Sequence, residues 1–372
     1  MTALADFGIA FGRVVFIMMF ILNLGGLLTW VERKQSAIMQ DRIGANRAAI
    51  RIPFTQIRLR ILGLFHPLAD AIKMLTKEDF RPARADPFLF GLAPFVSVFC
   101  ALVAFAAIPF GDVLRVAGRE VPLQAVTLNV GILYVFAMLS LGVYGVMMAG
   151  WSSANNFALL GGQRAAALMI SAEIAIGASI MGVVMIYGSL NMQDIVRGQG
   201  DYLLWGWLPK WGIVTQLPAF VIFLTAGIAA TKRIPFDMPE GESEIIGYFI
   251  EYSGMKFGMF AMADFLETVV IAGMTTSLFL GGWQVPYLAA DGFRFPWGGA
   301  VLLPHLLVVL LQVGAFVVKV CAMIFFMMLV RWTLPRFRYD QAMRLGWLGL
   351  FPLSILNIVV TGLGLLLFGE PA

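Results

Sequence analysis

Charged residues are scarce in this chain of 372 residues: aspartate, glutamate, lysine and arginine make up only 13% of it, whereas 60% of the side chains are hydrophobic. A soluble domain carries about 25% charged residues, so this chain has too little polar surface to cover a water-soluble globule. The alternation of apolar and polar residues that marks a transmembrane barrel is also missing, because the apolar runs are continuous. The composition therefore predicts an all-α polytopic membrane protein.

Cysteine and histidine are rarer still, with two of each in the chain. An iron–sulfur cluster requires about four closely placed thiolates, and only Cys100 and Cys321 are present. His305 is the only histidine within a predicted span, which argues against a haem held by two histidines in the bilayer. No G-x-G-x-x-G follows a strand, and no G-x-x-x-x-G-K-[ST] occurs. We therefore expect no metal ion and no covalently bound cofactor on this chain.

Continuous apolar runs of about 20 residues, the length of a membrane-spanning helix, recur along the chain. They predict eight spans: 8–31, 88–109, 125–150, 164–188, 212–231, 256–282, 302–331 and 346–368. When each lysine and arginine is assigned to a membrane side, 19 lie with the loops after the odd-numbered spans and six on the other side, apart from Lys319 inside the seventh span. Because basic loops stay in the cytoplasm, we expect both termini on the outer side.

The polar segment between the first two spans contains a predicted amphipathic helix over 60–78. Its apolar stripe, spaced as on one helix face, consists of Ile61, Leu64, Phe65, Leu68, Ile72 and Leu75. A second, polar stripe consists of His66, Asp70, Lys73 and Lys77. A helix too charged to span the bilayer lies in the membrane interface. Two interpretations stay open: an anchor for the loop, or one wall of a portal for an amphipathic, lipid-like molecule.

The densest group of acids is the stretch RIPFDMPEGESE, residues 233–244, which follows the fifth span. A helix beginning near Pro239 would place Glu240, Glu244 and Glu251 on one face, with Glu242 pointing elsewhere and Asp237 before the turn. Like charges at this spacing repel, and confinement would raise their pKa values towards neutral pH. The stretch is therefore interpreted as a proton-transfer device with Arg233 as its counter-ion, the alternative being a solvated acidic loop.

Four further ionisable residues fall inside predicted spans, where charged groups usually mark ion or proton paths. They are Glu173, Asp264, Glu267 and Lys319. Glu173 follows Arg164 by nine residues and could instead serve helix packing alone. Lys319 could extend its ammonium group to an interface.

Four stretches, in order from Glu32 to Phe257, resemble the signatures of one family. They read ERKxxAxxQDRxGxNR, GLxxPLADAIKxxxKED, GWSSxxxxxLLGxxRAxAxxIxxE and RxPFDxPExESExxGYxxEYSGMKF, where x is any residue. On these motifs the chain is identified as a member of the family of the H subunit of bacterial NADH–quinone oxidoreductase, respiratory complex I. The four motifs are spread over more than half of the chain.

The resemblance implies a membrane-arm subunit that completes a quinone chamber and begins the path coupling quinone reduction to proton pumping. Quinone is then the substrate, whereas NADH, FMN and the iron–sulfur clusters belong to partner subunits. The implied partners are the other membrane-arm subunits, the quinone-reducing peripheral-arm subunits and membrane lipid, and no nucleic acid. The implied location is the bacterial inner membrane, with periplasmic termini.

The same resemblance assigns roles to individual residues, none of them catalytic. The quinone chamber and its entrance would be formed by Arg33, Lys34, Arg42, Arg47, His66, Asp70 and Lys73. Proton coupling would use Glu32, Glu173, Asp237, Glu240, Glu242, Glu244, Glu251 and Asp264. Arg164 and Arg233 would be structural counter-ions.

The chain departs from the family pattern beside the acidic stretch, where AExNRxPFD reads AATKRIPFD, with Ala230 and Lys232. We interpret it as a divergent member. The alternatives are the homologous subunit of a membrane-bound hydrogenase or related redox-driven ion pump, and a stand-alone secondary transporter. The transporter is disfavoured because the sequence lacks an inverted repeat and paired broken helices.

Overall fold

The computed structural model describes residues 2–51, 58–116, 119–203, 206–241 and 244–368. The helices in these ranges are α1 (Thr2–Met39), α2 (His66–Thr76), α3 (Pro87–Ala104), α4 (Gly131–Ser152), α5 (Asn156–Tyr187), α6 (Met192–Gly198), α7 (Gly212–Thr215), α8 (Leu217–Ala230), α9 (Gly254–Phe279), α10 (His305–Thr333), α11 (Tyr339–Arg344) and α12 (Phe351–Phe368). Tight 3₁₀ turns at Ile61–Gly63 and Phe105–Ala107 precede α2 and follow α3, and a π-helical turn at Leu345–Leu350 joins α11 to α12.

The strands of the described residues are short, antiparallel and confined to the connections between helices. They are β1 (Ile50–Arg51) with β2 (Arg58–Leu59), β3 (Val113–Val116) with β4 (Arg119–Pro122), β5 (Tyr202–Leu203) with β6 (Leu208–Pro209), and a sheet of β7 (Leu288–Ala289), β8 (Gly292–Arg294) and β9 (Ala300–Leu302). In the longest pair, Val113 lies opposite Pro122 and Val116 opposite Arg119. None of these hairpins is long enough to organise a core of its own.

Seven helices in the described part of the chain are long and apolar enough to cross a membrane. They are Phe7–Met39, Pro87–Ala107, Gly131–Ser152, Asn156–Tyr187, Gly254–Phe279, His305–Thr333 and Tyr339–Leu367. This arrangement confirms the predicted fold class, an all-α polytopic membrane protein.

The segment predicted as the fifth span, 212–231, is not one continuous helix, and its crossing of the membrane stays a prediction. It forms α7 and α8, which are separated at Gln216, a residue with φ −138° and ψ 50°. Pro218 stands in the first turn of α8 and has no backbone N–H to continue the hydrogen bonding of α7. The 14 residues of α8 extend about 21 Å, which is shorter than the roughly 30 Å thickness of the hydrocarbon core.

Helix α9 lies at the centre of the bundle, since every side chain from Leu266 to Phe279 is buried. A helix that is enclosed on all sides contacts other helices rather than solvent or lipid. The rings of Phe223 on α8 and Phe279 on α9 lie 5.4 Å apart. By contrast, Leu356 and Leu363 on α12 are more than half exposed, as expected of an outer helix that faces lipid. Polar groups that face α9 are therefore inside the protein.

We call the connection between α8 and α9, residues 231–253, the acidic loop. It lies where a longer α8 would have continued. Lys232 at its start contacts Glu267, thirteen residues into α9, which corresponds to about 20 Å from the first residue of that helix. Lys232 has a left-handed backbone, with φ +55°, and this conformation ends α8. The acidic loop thus lies within the helix bundle, where its carboxylates meet charged groups on several helices.

Candidate functional site

The acidic loop is not helical in its described residues, so the predicted helix beginning near Pro239 is wrong. Ile246 and Gly247 have positive φ values of 73° and 136°, and a right-handed helix cannot continue through them. The loop lies close to α5, where a Cβ added at Gly161 would come within 3.0 Å of the Tyr248 backbone nitrogen. The contact with neighbouring helices therefore replaces the local helix that the spacing suggested.

Without a helix, Glu240, Glu244 and Glu251 do not share a face. Glu244 forms an ion pair of 2.6 Å with Arg164 on α5 and is 52% exposed. This hydrogen bond lowers the pKa of Glu244. Glu251 accepts a hydrogen bond of 2.8 Å from the Asn155 side chain. Glu242 lies outside the described residues, and Glu240 faces a cavity.

That cavity, which we call the charged cavity, has a volume of about 250 Å³ and lies between the acidic loop, α1, α9 and α10. Its ionisable lining consists of Glu32, Arg233, Asp237, Glu240, Asp264 and Arg331, and its aromatic lining of Phe249, Phe257, Phe260 and Phe265. Four carboxylates thus share this small space with two guanidinium groups.

Glu240 and Asp237 are the loop carboxylates of the charged cavity. Burial, followed by repulsion from Asp264 and Asp237, raises the pKa of Glu240 to about 8. Burial also raises the pKa of Asp237, against the opposing effect of Arg336. The Asp237 carboxylate accepts a hydrogen bond of 3.1 Å from the Glu240 backbone N–H, which holds the two residues together. Glu240 is therefore placed to bind and release a proton near neutral pH.

Glu32 at the end of α1 joins three elements through two arginines. Its carboxylate lies 3.2 Å from Arg233 of the acidic loop and 2.6 Å from Arg331 of α10. The Arg233 guanidinium also lies over the Phe265 ring, 4.2 Å from its centroid. Arg331 was missed in the sequence analysis because nothing near it in sequence indicates a partner on α1. The predicted counter-ion Arg233 thus pairs with an acid of another helix.

Lys232 forms a second, deeper ionic cluster with two acids of α9. Its ammonium nitrogen lies 3.0 Å from an Asp264 carboxylate oxygen and 3.1 Å from one of Glu267. The Lys232 side chain is only 3% exposed. Asp264 belongs to both the cavity lining and this cluster. The i,i+3 spacing of the two acids, which places them on one face of a helix, was the available signal for this cluster.

The remaining intramembrane groups lie elsewhere. Glu173 on α5 accepts a hydrogen bond of 2.7 Å from Ser140 on α4. The Lys319 ammonium group donates to the carbonyl oxygens of Leu280, Gly282 and Gln284 at 2.7–3.0 Å. It thereby neutralises the carboxyl end of α9, at the opposite end of that helix from the acidic loop.

The predicted entrance residues are spread over the end of α1, the following loop and α2. Arg33 forms an ion pair of 2.7 Å with Asp70, and Lys73 lies 3.7 Å from the same carboxylate. The His66 imidazole nitrogen Nδ1 lies 2.7 Å from the Gly63 carbonyl oxygen, and the half-buried Lys34 and the exposed Arg42 donate to nearby loop atoms. Arg47 is exposed. Asp70 is thus the residue that ties α2 to α1.

A groove of about 400 Å³, the aromatic groove, lies between α2 and the acidic loop. It is lined by Lys73, Met74, Lys77, Ile246, Phe249, Ile250, Tyr252, Ser253, Gly254 and Phe257. Phe249 and Phe257 line the charged cavity as well, so two rings are common to the two spaces. The outer face of α2 is apolar and open, with Leu68 and Ile72 each 54% exposed.

Nowhere in the described ranges do three or more histidine, cysteine, aspartate or glutamate side chains come together as a set of metal ligands. The charged and aromatic side chains of the described site can exchange protons and bind charged or apolar groups.

Comparison with known proteins shows to which family the chain is related. A family model described as NADH dehydrogenase matches residues 12–362. The chain is 44% identical over 358 residues to an H subunit of the NADH-quinone oxidoreductase of Geobacter metallireducens, covering 96% of each chain. It is 42% identical to an H subunit of the same enzyme from Cytophaga hutchinsonii, over 91% of this chain and 92% of the relative. It is 40% identical to an H subunit from Rhizobium meliloti, over 97% and 99%. The chain therefore belongs to the NADH dehydrogenase family, together with the H subunits of bacterial NADH-quinone oxidoreductases.

Proposed function

We propose that this chain forms the membrane part of a quinone-binding chamber in an NADH–quinone oxidoreductase, and that its charged cavity exchanges protons with that chamber. The observation that carries the proposal is the placement of four carboxylates and two arginines directly beside an aromatic groove. Reduction of a quinone to a quinol consumes two electrons and two protons. A group of buried carboxylates next to the reduced ring is a suitable source of those protons.

The aromatic groove and α2 support the portal interpretation of the amphipathic helix. A quinone carries a polar ring and a long apolar tail, and the groove offers lysines at one side and aromatic and aliphatic side chains at the other. The exposed stripe of α2, which includes Leu68, Ile72 and Leu75, would lie in lipid, where the tail also resides. The quinone then enters between α2 and the acidic loop.

The proton-exchange group that the geometry favours differs from the one predicted. Glu240, Asp237, Glu32 and Asp264 face one cavity, whereas Glu244 and Glu251 each bond to a residue at or near the start of α5. We assign Glu244 and Glu251 to holding the loop in place. Glu173, which lies on α5 and bonds Ser140 of α4, remains a predicted later member of the path.

The proposed orientation places the acidic loop on the cytoplasmic side, where the basic loops are concentrated. Arg13 near the start of α1 donates to Pro122, and Thr361 near the end of α12 bonds to Gln216. Glu32, at the other end of α1, lines the charged cavity. The start of α1 and the end of α12 therefore lie at the opposite end of the bundle, which we propose is periplasmic. The quinone-reducing subunits that carry NADH, FMN and iron–sulfur chemistry would dock at the cytoplasmic end.

The rate of quinone reduction at alkaline pH tests the role of Glu240 in proton transfer. Because the pKa of Glu240 is raised to about 8, this carboxyl holds its proton below that pH and loses it above. We expect the rate of quinone reduction by the assembled complex to fall as the pH rises through about 8. A Glu240→Gln variant should lose this transition, whereas Glu244→Gln should keep it, since Arg164 already keeps Glu244 ionised. An alkaline transition that is unchanged in Glu240→Gln would count against the proposal.

The portal is tested by the length of the quinone tail. Replacing Ile72 with lysine puts a charge into the exposed apolar face of α2, and we expect the rate with long-tailed quinones to fall about tenfold, equivalent to 1.4 kcal/mol. Short-tailed analogues reach the ring site from water and should be reduced at nearly the normal rate. The measurement is the rate of quinone reduction in membranes as a function of tail length. Equal losses with short and long tails would refute an entrance at α2.

A further inference from the structure

Of the cluster formed by Lys232, Asp264 and Glu267, the proposed function uses only Asp264. The Lys232 ammonium contacts one carboxylate oxygen of Asp264 and both oxygens of Glu267, at 3.0–3.2 Å. All three side chains are at most 13% exposed. Two carboxylates within about 6 Å of each other in a dry environment cannot both stay ionised without a cation, and Lys232 is the cation that touches both.

We propose that Lys232 is a positioning residue, a fixed internal cation that keeps Asp264 and Glu267 both ionised. Exchangeable protons are thereby confined to the side of Asp264 that faces the charged cavity. A proton could pass to Glu267 only when the ammonium group leaves it. The statement about ionisation stands on the geometry alone, whereas its consequence for proton transfer rests on the proposed function.

The surroundings of Lys232 support a permanently charged side chain. Burial alone would lower the pKa of Lys232, but the two carboxylates outweigh burial and raise it well above its ordinary value. The other titratable or charged groups around the cluster are Tyr248, Asp237, Glu240 and Arg233 of the acidic loop, Glu32 of α1, Arg331 of α10 and Cys100 of α3. Tyr248 is itself buried, and burial raises its pKa, so the phenol stays neutral.

The backbone at residue 232 offers a clean test variant. Its φ of +55° is left-handed, a conformation in which asparagine is enriched relative to other non-glycine residues. Lys232→Asn should therefore keep the chain path at the end of α8 while it removes the ammonium group from between the two carboxylates. Asp264 and Glu267 would then face each other without a cation, and one of them should take up a proton.

The measurement is the infrared absorption of protonated carboxylic acids in the assembled complex at neutral pH, without turnover. We expect Lys232→Asn to gain one such group per complex and the double variant Lys232→Asn with Glu267→Gln to lose that gain, because one carboxylate remains. Lys256→Asn is the matched control: Lys256 pairs at 2.8 Å with Asp79, which is 52% exposed, so water keeps that carboxylate ionised and no protonated group should appear.

A second variant keeps the inference testable if Lys232→Asn does not assemble. Glu267→Gln alone leaves a balanced pair of Lys232 and Asp264, and it should remove no protonated carboxyl signal. Loss of such a signal in Glu267→Gln, or an unchanged spectrum in Lys232→Asn, would overturn the inference. Neither result depends on quinone reduction, so failure here is distinct from failure of the proposed function.

Discussion

Replacing Glu240 with glutamine is expected to lower the rate of quinone reduction roughly 100-fold, the lower end of what a proton-transfer group contributes, and to abolish the coupled proton uptake. Glutamine has nearly the same shape but cannot exchange a proton. Glu240 is the cavity carboxylate whose pKa, raised to about 8 by burial and by Asp264 and Asp237, best matches the working pH. Reduction and uptake should fall together because the proposed function makes them one process.

Glu244→Gln is the matched control for this prediction. It carries the same substitution four residues along the same loop, but Glu244 is 52% exposed and bonds Arg164. We expect at most about a fivefold loss of rate in this variant, since an exposed ion pair contributes about 0–1 kcal/mol. The rate of quinone reduction and proton uptake are measured in inverted vesicles, with assembly checked by native gel. Equal losses in the two variants would indicate a general effect on the loop rather than a proton carrier.

Replacing Arg233 with methionine is expected to destabilise the complex by about 3 kcal/mol, the lower end of the cost of breaking a buried ion pair. Arg233 and Glu32 are only 11% and 12% exposed, and Arg331 still offsets part of the Glu32 charge. The substitution also removes the contact of the guanidinium with the Phe265 ring. The acidic loop would then lose its link to α1, and the charged cavity would open.

The measurement for Arg233 is the yield of assembled complex and its temperature of inactivation. Arg294→Met is the control: Arg294 pairs with Asp291, both about two-thirds exposed, so this change should cost under about 1 kcal/mol. Arg233→Lys should recover only part of the loss, because lysine cannot present a planar guanidinium to a carboxylate and a ring together. Full recovery with lysine would show that charge alone matters at this position.

The membrane-spanning helices could be predicted from the sequence because a long apolar run has one favoured structure in lipid. A chain in lipid must satisfy its backbone hydrogen bonds within each segment, so long apolar runs become helices wherever they lie. The exception, α7 and α8, contains Pro218 and Gln216, and the buried Gln216 side chain bonds Thr361 and Asn357 of α12. Such a break depends on partners that are far away in sequence.

The contacts of the acidic loop could not be predicted from the spacing of its glutamates. Helical spacing of Glu240, Glu244 and Glu251 suggested one face, but positive φ values at Ile246 and Gly247 direct the three carboxylates to different partners. The residues that complete the charged cavity, Glu32 and Arg331, lie 201 and 98 positions from Arg233. No local pattern links residues so far apart, so the cavity could be recognised only after the helices were placed around it.

The most direct test of the proton role is the infrared difference spectrum that accompanies reduction of quinone in the assembled complex. We expect a carboxylic acid band that changes on reduction, disappears in Glu240→Gln and persists in Glu244→Gln. A band that survives unchanged in Glu240→Gln would contradict the assignment of the charged cavity as the proton source for the quinone.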